Sequence, residues 1–188
     1  MTSFTRLSIP EVIEVCPPRF GDDRGYFSEV YKRSAFEAEG LHMDWVQDNQ
    51  SFSAQVGTVR GLHLQKPPVP QDKLVRVIRG AIFDVAVDLR RGSPSFGCWV
   101  SCELTAEKGN QLLVPTGFAH GFMTLTENTE VLYKVSGPYS GAHEVAIAWN
   151  DADIGIDWPE IGSDIILSEK DKAAGRFIDF ETPFQYER

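Results

Sequence analysis

The feature that most constrains the fold is a succession of short β-prone runs with turn residues, not helices, between them. About nine such runs can be read: Trp45–Phe52, Thr58–Leu64, Leu74–Ile78, Ala81–Leu89, Cys98–Leu104, Gln111–Val114, Ala119–Leu125, Val131–Val135 and Val145–Trp149. The separators are turn material such as Lys66-Pro67-Pro68, Arg79-Gly80, Gly92-Ser93-Pro94, Lys108-Gly109-Asn110 and Ser136-Gly137-Pro138. Strands in series without intervening helices predict an all-β antiparallel sandwich or barrel. One short helix is predicted early, where Ser34-Ala35-Phe36-Glu37 has the form of a capping box and Gly40 supplies a left-handed stop. The segment from Ser168 onward reads as helix or loop packed on that body. The 188 residues suit one core, no repeat or linker interrupts them, and residues 1–188 are read as a single domain.

Charge narrows the partners. With 18 Lys+Arg against 27 Asp+Glu the net charge is −9, which argues against nucleic acid or an anionic membrane, since both select basic surfaces. A small anionic ligand needs only a few well-placed cations and stays open. Cys16, Cys98 and Cys102 are sparse and odd in number, and no second Cys/His pair stands at zinc-finger spacing, so reduced thiols in a cytoplasmic protein are expected. Met1 to Pro10 carries no long apolar stretch and no A-x-A pattern, and no run approaches about 20 apolar residues, so neither a secretory leader nor a membrane helix is expected.

Strand alternation groups the side chains that could carry chemistry. Phe83, Val85 and Val87 share one face, with Asp84 and Asp88 on the other; Tyr133 lies with Val131 and Val135, and Lys73 with Val75 and Val77. A barrel interior with Lys, Asp and Tyr among apolar residues would make a pocket, although alternation does not say which face is inner. The histidines His42, His63, His120 and His143 are scattered, and none has the paired spacing and nearby carboxylate of a metal-binding barrel, so no metal is expected. His42 and His143 sit in loop settings and read as surface. Strict alternation separates Arg60 from His63, so both can line one site only if the strand bulges, and Gly61 is the residue that permits it. His120 stands between glycines, where backbone can come close to a ligand.

These stretches resemble one family in order along most of the chain. Arg60-Gly-Leu-His63-Leu-Gln65, Lys73-Leu-Val-Arg76-Val, Phe83-Asp84-Val-Ala-Val-Asp88-Leu-Arg90, Pro115-Thr-Gly-Phe-Ala-His120-Gly-Phe122, Tyr133-Lys134 and Leu167-Ser-Glu-Lys170-Asp171 are similar to the dTDP-4-dehydrorhamnose 3,5-epimerases. The resemblance implies a cupin-like jelly roll, a homodimer, no metal or organic cofactor, and a dTDP-4-keto-6-deoxy sugar substrate inverted at C3 and C5. It also implies roles. His63 would be the base that removes a proton beside the C4 ketone, with Asp171 fixing its tautomer. Lys73 would stabilise the enolate oxygen, and Tyr133 would return a proton from the opposite face. Arg24, Glu29, Gln47, Asn49, Arg60, His120, Glu144 and Lys170 match ligand contacts, and Tyr139 matches the aromatic that stacks on thymine. On chemistry alone Glu29, Gln47, Asn49 and Glu144 read as surface polar residues, and Phe20 and Phe27 as core. The resemblance further allows the N-terminal segment to exchange between subunits. The Ser136-Gly137-Pro138 loop departs from the pattern where relatives acting on a single carbon could differ. Two readings stand beside the double epimerase. One is a mono-epimerase or keto-isomerase on a related sugar; the other is a non-catalytic or metal-binding jelly roll.

Overall fold

Short alternating and continuously apolar runs close into antiparallel sheets in the computed structural model, which describes residues 1–187. The first part of the chain gives β1 (Ser3–Arg6), β2 (Ile13–Cys16), β3 (Phe20–Asp22), β4 (Gly25–Phe27) and the helix α1 (Arg33–Ala38). The body follows as β5 (Gln47–Ser53), β6 (Val59–Gln65), β7 (Lys73–Arg79), β8 (Ala81–Asp88), β9 (Trp99–Thr105) and β10 (Gln111–Val114). It continues with β11 (Phe118–Thr124), β12 (Thr129–Val135) and β13 (Glu144–Ala146), then α2 (Glu169–Lys172) and a 3₁₀ turn at Phe177–Asp179. Each of the nine runs expected from the sequence contains a strand, although the last, Val145–Trp149, is strand only at Val145 and Ala146. The four short N-terminal strands were not expected.

Two sheets face each other as a jelly roll. One has the order β1-β2-β10-β7-β12-β5 and the other β13-β6-β11-β8-β9; β3 and β4 form a separate hairpin. Between the sheets lies one core, in which Val75, Val77 and Val131 meet Ile82, Ala86, Phe118 and Phe122. Asp84, Lys73 and Tyr133 therefore point inward. Phe83, Val85 and Val87 point outward, yet Val85 and Val87 are fully buried. The C-terminal segment covers them, laying Ile154, Trp158, Phe177, Phe180 and Phe184 over Leu62, Leu64, Val85 and Val87. The N-terminal third does the same for the other sheet, packing Phe36, Tyr31 and Trp45 against Ile13, Leu74 and Leu113.

Two local expectations are corrected. The α1 helix starts at Arg33 with Lys32 as its N-cap and no side-chain capping bond, so Ser34 lies inside the helix and not at its cap. Its end follows the expected pattern, because Gly40 adopts φ +75°. Phe20 and Phe27 are not core: both rings lie on the exposed β3–β4 hairpin, Phe27 with 67% of its surface exposed.

Candidate active site

The site rests on an irregularity in β6. Across the β11–β6 ladder His120 pairs with His63 and Phe122 with Arg60, so two residues of β6, Gly61 and Leu62, oppose the single Gly121. This is the bulge that Arg60 and His63 require if they are to face one space. Only glycine fits at its centre. Gly61 has φ +126°, and a Cβ there would stand 2.5 Å from the Gly121 Cα and 2.8 Å from the His120 carbonyl oxygen.

The result is a cavity of about 430 Å³ between the sheets. Arg60, His63 and His120 line it from one sheet, Lys73 and Tyr133 from the other, and Asp171 from α2 closes one side. The remaining wall is largely apolar, built from Val59, Phe122, Ile166 and Leu167.

His63 and His120 are cross-strand neighbours, and each meets an aspartate through Nε2. His63 Nε2 lies 2.6 Å from Asp171 Oδ1, and His120 Nε2 lies 2.7 Å from Asp84 Oδ1. A neutral imidazole bonded in this way donates from Nε2 and keeps its lone pair on Nδ1. Asp171 is itself held. Its other oxygen accepts from Ser168 Oγ at 2.7 Å, and its N–H donates to that hydroxyl as an N-cap bond of α2. Burial alone would raise the Asp171 carboxyl, but the bonds from His63 and Ser168 outweigh it and hold the group below the usual carboxylate range.

Lys73 and Tyr133 face this pair from the opposite sheet. Burial lowers the Lys73 ammonium to about 8, against the opposing pull of Asp84 and Glu144. Lys73 Nζ donates to the His63 carbonyl oxygen at 3.2 Å, which ties the two walls together. Burial raises the Tyr133 phenol above its ordinary value, and the Arg60 charge only partly offsets this. At neutral pH the phenol therefore carries its proton.

A second, smaller hollow of about 80 Å³ shares His63, Lys73 and Tyr133 with the cavity and adds Asn49, Tyr139 and Glu144. Glu144 accepts from the Tyr139 hydroxyl at 2.8 Å and pairs with Lys170 Nζ at 2.5 Å. Gln47 sits beside Asn49, donating to it at 2.6 Å, and accepts from the Tyr139 backbone N–H. These side chains, read as surface polar on chemistry alone, thus form one connected rim at the cavity mouth.

Arg24 and Glu29 line neither hollow. Arg24 is on the tip of the β3–β4 hairpin, 89% exposed and paired with Asp22, while Glu29 pairs with Lys32. Sequence reasoning passed over Ser51, Thr58, Ile166 and Ser168 as lining residues. Only Ser168 carried a signal, the Ser-x-x-Asp spacing that places a capping hydroxyl beside Asp171. Among the described residues, no three His, Cys, Asp or Glu side chains gather as a metal-holding group. No helix among them is long and apolar enough to cross a membrane.

The fold and the site have close counterparts. The profile of the dTDP-4-dehydrorhamnose 3,5-epimerase family matches residues 6–179. A relative of that name from Sinorhizobium fredii is 53% identical, over 97% of this chain and 93% of its own length. A solved dTDP-6-deoxy-D-glucose-3,5-epimerase from Legionella pneumophila, in complex with dTDP-4-keto-L-rhamnose, superposes with a TM-score of 0.95 at 38% identity, covering all of both chains. A dTDP-4-dehydrorhamnose 3,5-epimerase from Bacillus anthracis with TDP and pyrophosphate bound gives 0.90 at 45% identity, over 94% of this chain and all of the other. With the whole of the jelly roll and the cavity between its sheets covered by these matches, the chain belongs to the dTDP-4-dehydrorhamnose 3,5-epimerase family.

Proposed function

We propose that this chain, acting as one domain, inverts C3 and C5 of dTDP-4-dehydro-6-deoxy-D-glucose without a cofactor. The observation that carries the reading is that a histidine held by a carboxylate and a protonated phenol line one cavity from opposite sheets, with a buried lysine lining it from the phenol's sheet. Inversion next to a ketone needs this arrangement. The proton leaves one face of the ring to a base and returns to the other face from an acid.

His63 Nδ1 takes the proton from C3 or C5, and the electron pair moves into the enolate with its charge on the C4 oxygen. Asp171 keeps the imidazole in the productive tautomer and stabilises its charged form. A base placed in this way contributes about 10²–10⁴-fold. Lys73 stands at the enolate oxygen, where losing a preorganised donor costs roughly 10²–10³-fold. Tyr133 then protonates the opposite face of the carbon. Each inversion leaves a proton on His63 and a deficit on Tyr133, and transfer through solvent from imidazolium to phenolate restores both. Arg60, His120 and Lys170 would hold the diphosphate and sugar oxygens, with Gln47, Asn49, Glu144 and Tyr139 shaping the nucleoside end.

Arg24 and Glu29 enter the reading through the dimer. The β3–β4 hairpin presents Phe20, Tyr26 and Phe27 to solvent, an apolar surface suited to a second copy of the chain, and a homodimer in which the hairpin reaches the neighbouring site would bring both residues to the ligand. Placement in the cytoplasm completes the proposal.

The test is incubation with dTDP-4-dehydro-6-deoxy-D-glucose in D₂O, followed by NMR. Deuterium at both C3 and C5 is expected. Label at one carbon would make the chain a mono-epimerase, and no label would make it a binder. Tyr133→Phe should slow inversion more than proton loss; equal losses would remove Tyr133 from the acid's role.

A further inference from the structure

The two buried aspartates of β8 are treated differently by the fold. Asp88 has both oxygens fully engaged, by the Arg90 guanidinium and by the hydroxyls of Ser93 and Ser95. Asp84, equally inaccessible, spends Oδ1 on His120, while Oδ2 has no hydrogen-bond partner among the described residues. A fully buried carboxylate with an unpaired oxygen costs stability, and neighbouring Ile82 and Ala86 show that apolar side chains fill this layer well. Packing therefore does not account for the charge.

Its surroundings do. Asp84 points inward from β8 behind the cavity wall, joined to the lining through His120, and its charge opposes the burial that lowers the Lys73 ammonium. The ammonium makes one protein hydrogen bond, to the His63 carbonyl oxygen, and has N–H donors to spare. The other ionisable groups around it are Arg60 and His63 on β6, His120 on β11, Tyr133 on β12, Tyr139 in the following loop, Glu144 on β13, and Lys170 and Asp171 on α2, where Asp171 is already engaged by His63 and Ser168. Glu144 is already engaged by Lys170 and Tyr139. Asp84 is thus the anion whose charge is least committed elsewhere.

We infer that Asp84 is a positioning residue for the proposed reaction. Its Oδ1 fixes His120 as an Nε2–H donor, leaving Nδ1 as the ring nitrogen without a protein partner, and its negative charge holds the Lys73 ammonium at the cavity wall. The inference rests on the epimerase reading for its consequence, since a charged Lys73 matters because an enolate forms beside it. The direction of the effect follows from the chemistry. Burial already favours the neutral amine of Lys73, and loss of the Asp84 charge would favour it further, so Lys73 would lose its proton at lower pH.

The experiment is the pH dependence of kcat/KM for Asp84→Asn and Asp84→Glu. In Asp84→Asn the basic limb should move toward acid by about one pH unit or more, the scale of a nearby opposite charge. Asp84→Glu, which keeps the charge, should restore the limb even where kcat stays low, which a merely structural role would not do. A basic limb unmoved in Asp84→Asn overturns the inference. Should Asp84→Asn fail to fold, the ¹³Cγ resonance of Asp84 in the unsubstituted protein decides. It must show an inflection as Lys73 titrates near pH 8, and a flat trace overturns the inference. That titration needs no turnover, so it stands apart from the deuterium experiment that tests the reaction itself.

Discussion

The two histidine–aspartate pairs are built on neighbouring strands, use the same ring nitrogen and have nearly the same length, yet their settings differ. The His63 side chain keeps 25% of its surface accessible, and its aspartate arrives on α2, outside the sheets. The His120 side chain keeps 8%, and its aspartate is planted in β8 with no exposure at all. The open pair has a carboxylate with both oxygens satisfied, as suits a base that must repeatedly take and release a proton. The closed pair has a carboxylate with one oxygen idle, buried where solvent does not reach it. What distinguishes the two dyads is access and the completeness of hydrogen bonding, not residue type, and on the proposed reading that difference assigns the open one to the reaction and the closed one to support.

The sharpest way to break this comparison is to remove each ring. His63→Ala should abolish deuterium incorporation, a loss on the order of 10⁴-fold, the upper end for a general base. A variant that still exchanges both protons would show that the wrong pair has been taken as the base. Asp171→Asn should lower kcat by about 10²–10³-fold with KM nearly unchanged, because the amide no longer enforces the tautomer. A rise in KM alone would make α2 a binding element only.

Lys73→Met comes next and separates function from stability. Activity should fall by roughly 10²-fold, while the thermal midpoint should hold or rise. Keeping a buried ammonium charged against the drop from 10.5 to about 8 costs on the order of 3 kcal/mol, and methionine carries no such cost. A large fall in the midpoint would contradict the burial argument. In the unsubstituted protein the same group sets the basic limb: activity should decline as pH rises through about 8, where Lys73 loses its proton. The smallest effect is expected at the closed pair. His120→Asn should cost about 10- to 100-fold in kcat/KM, the worth of one hydrogen bond to a charged group, and isotope exchange should remain measurable.

Much of this was legible in the residues. The strand series and its turns gave the sheets, and the conflict between Arg60 and His63 under strict alternation, with Gly61 between them, pointed to the bulge that the ladder contains. The inner face was not legible, for a physical reason. The chain ends cover part of each sheet's outer face, so Val85 and Val87 on the outside are as inaccessible as Asp84 on the inside, and apolarity no longer marks the inner face of β8. Phe20 and Phe27 of the β3–β4 hairpin were misread as core because hydrophobicity alone does not reveal whether a ring is covered by the rest of the chain. Alternation grouped Asp84 with Asp88 on one face of its strand, but which face is inner, and the unpaired Oδ2 that sets Asp84 apart, exist only in three dimensions.

The C-terminal cover carries one more consequence. The segment that shields Leu62 and Val87 with Phe184 and Ile154 also contains Asp171, so the carboxylate that holds His63, the proposed base, is fastened to the barrel from outside and not woven into it. Peripheral segments open at lower free energy than the strands beneath them. Amide hydrogens of α2 should therefore exchange faster than those of β8 and β11, and each such opening would silence His63 while the sheets stay intact. Warming should accordingly extinguish turnover some degrees before it unfolds the jelly roll, which makes activity a gauge of the fastening and not of the barrel.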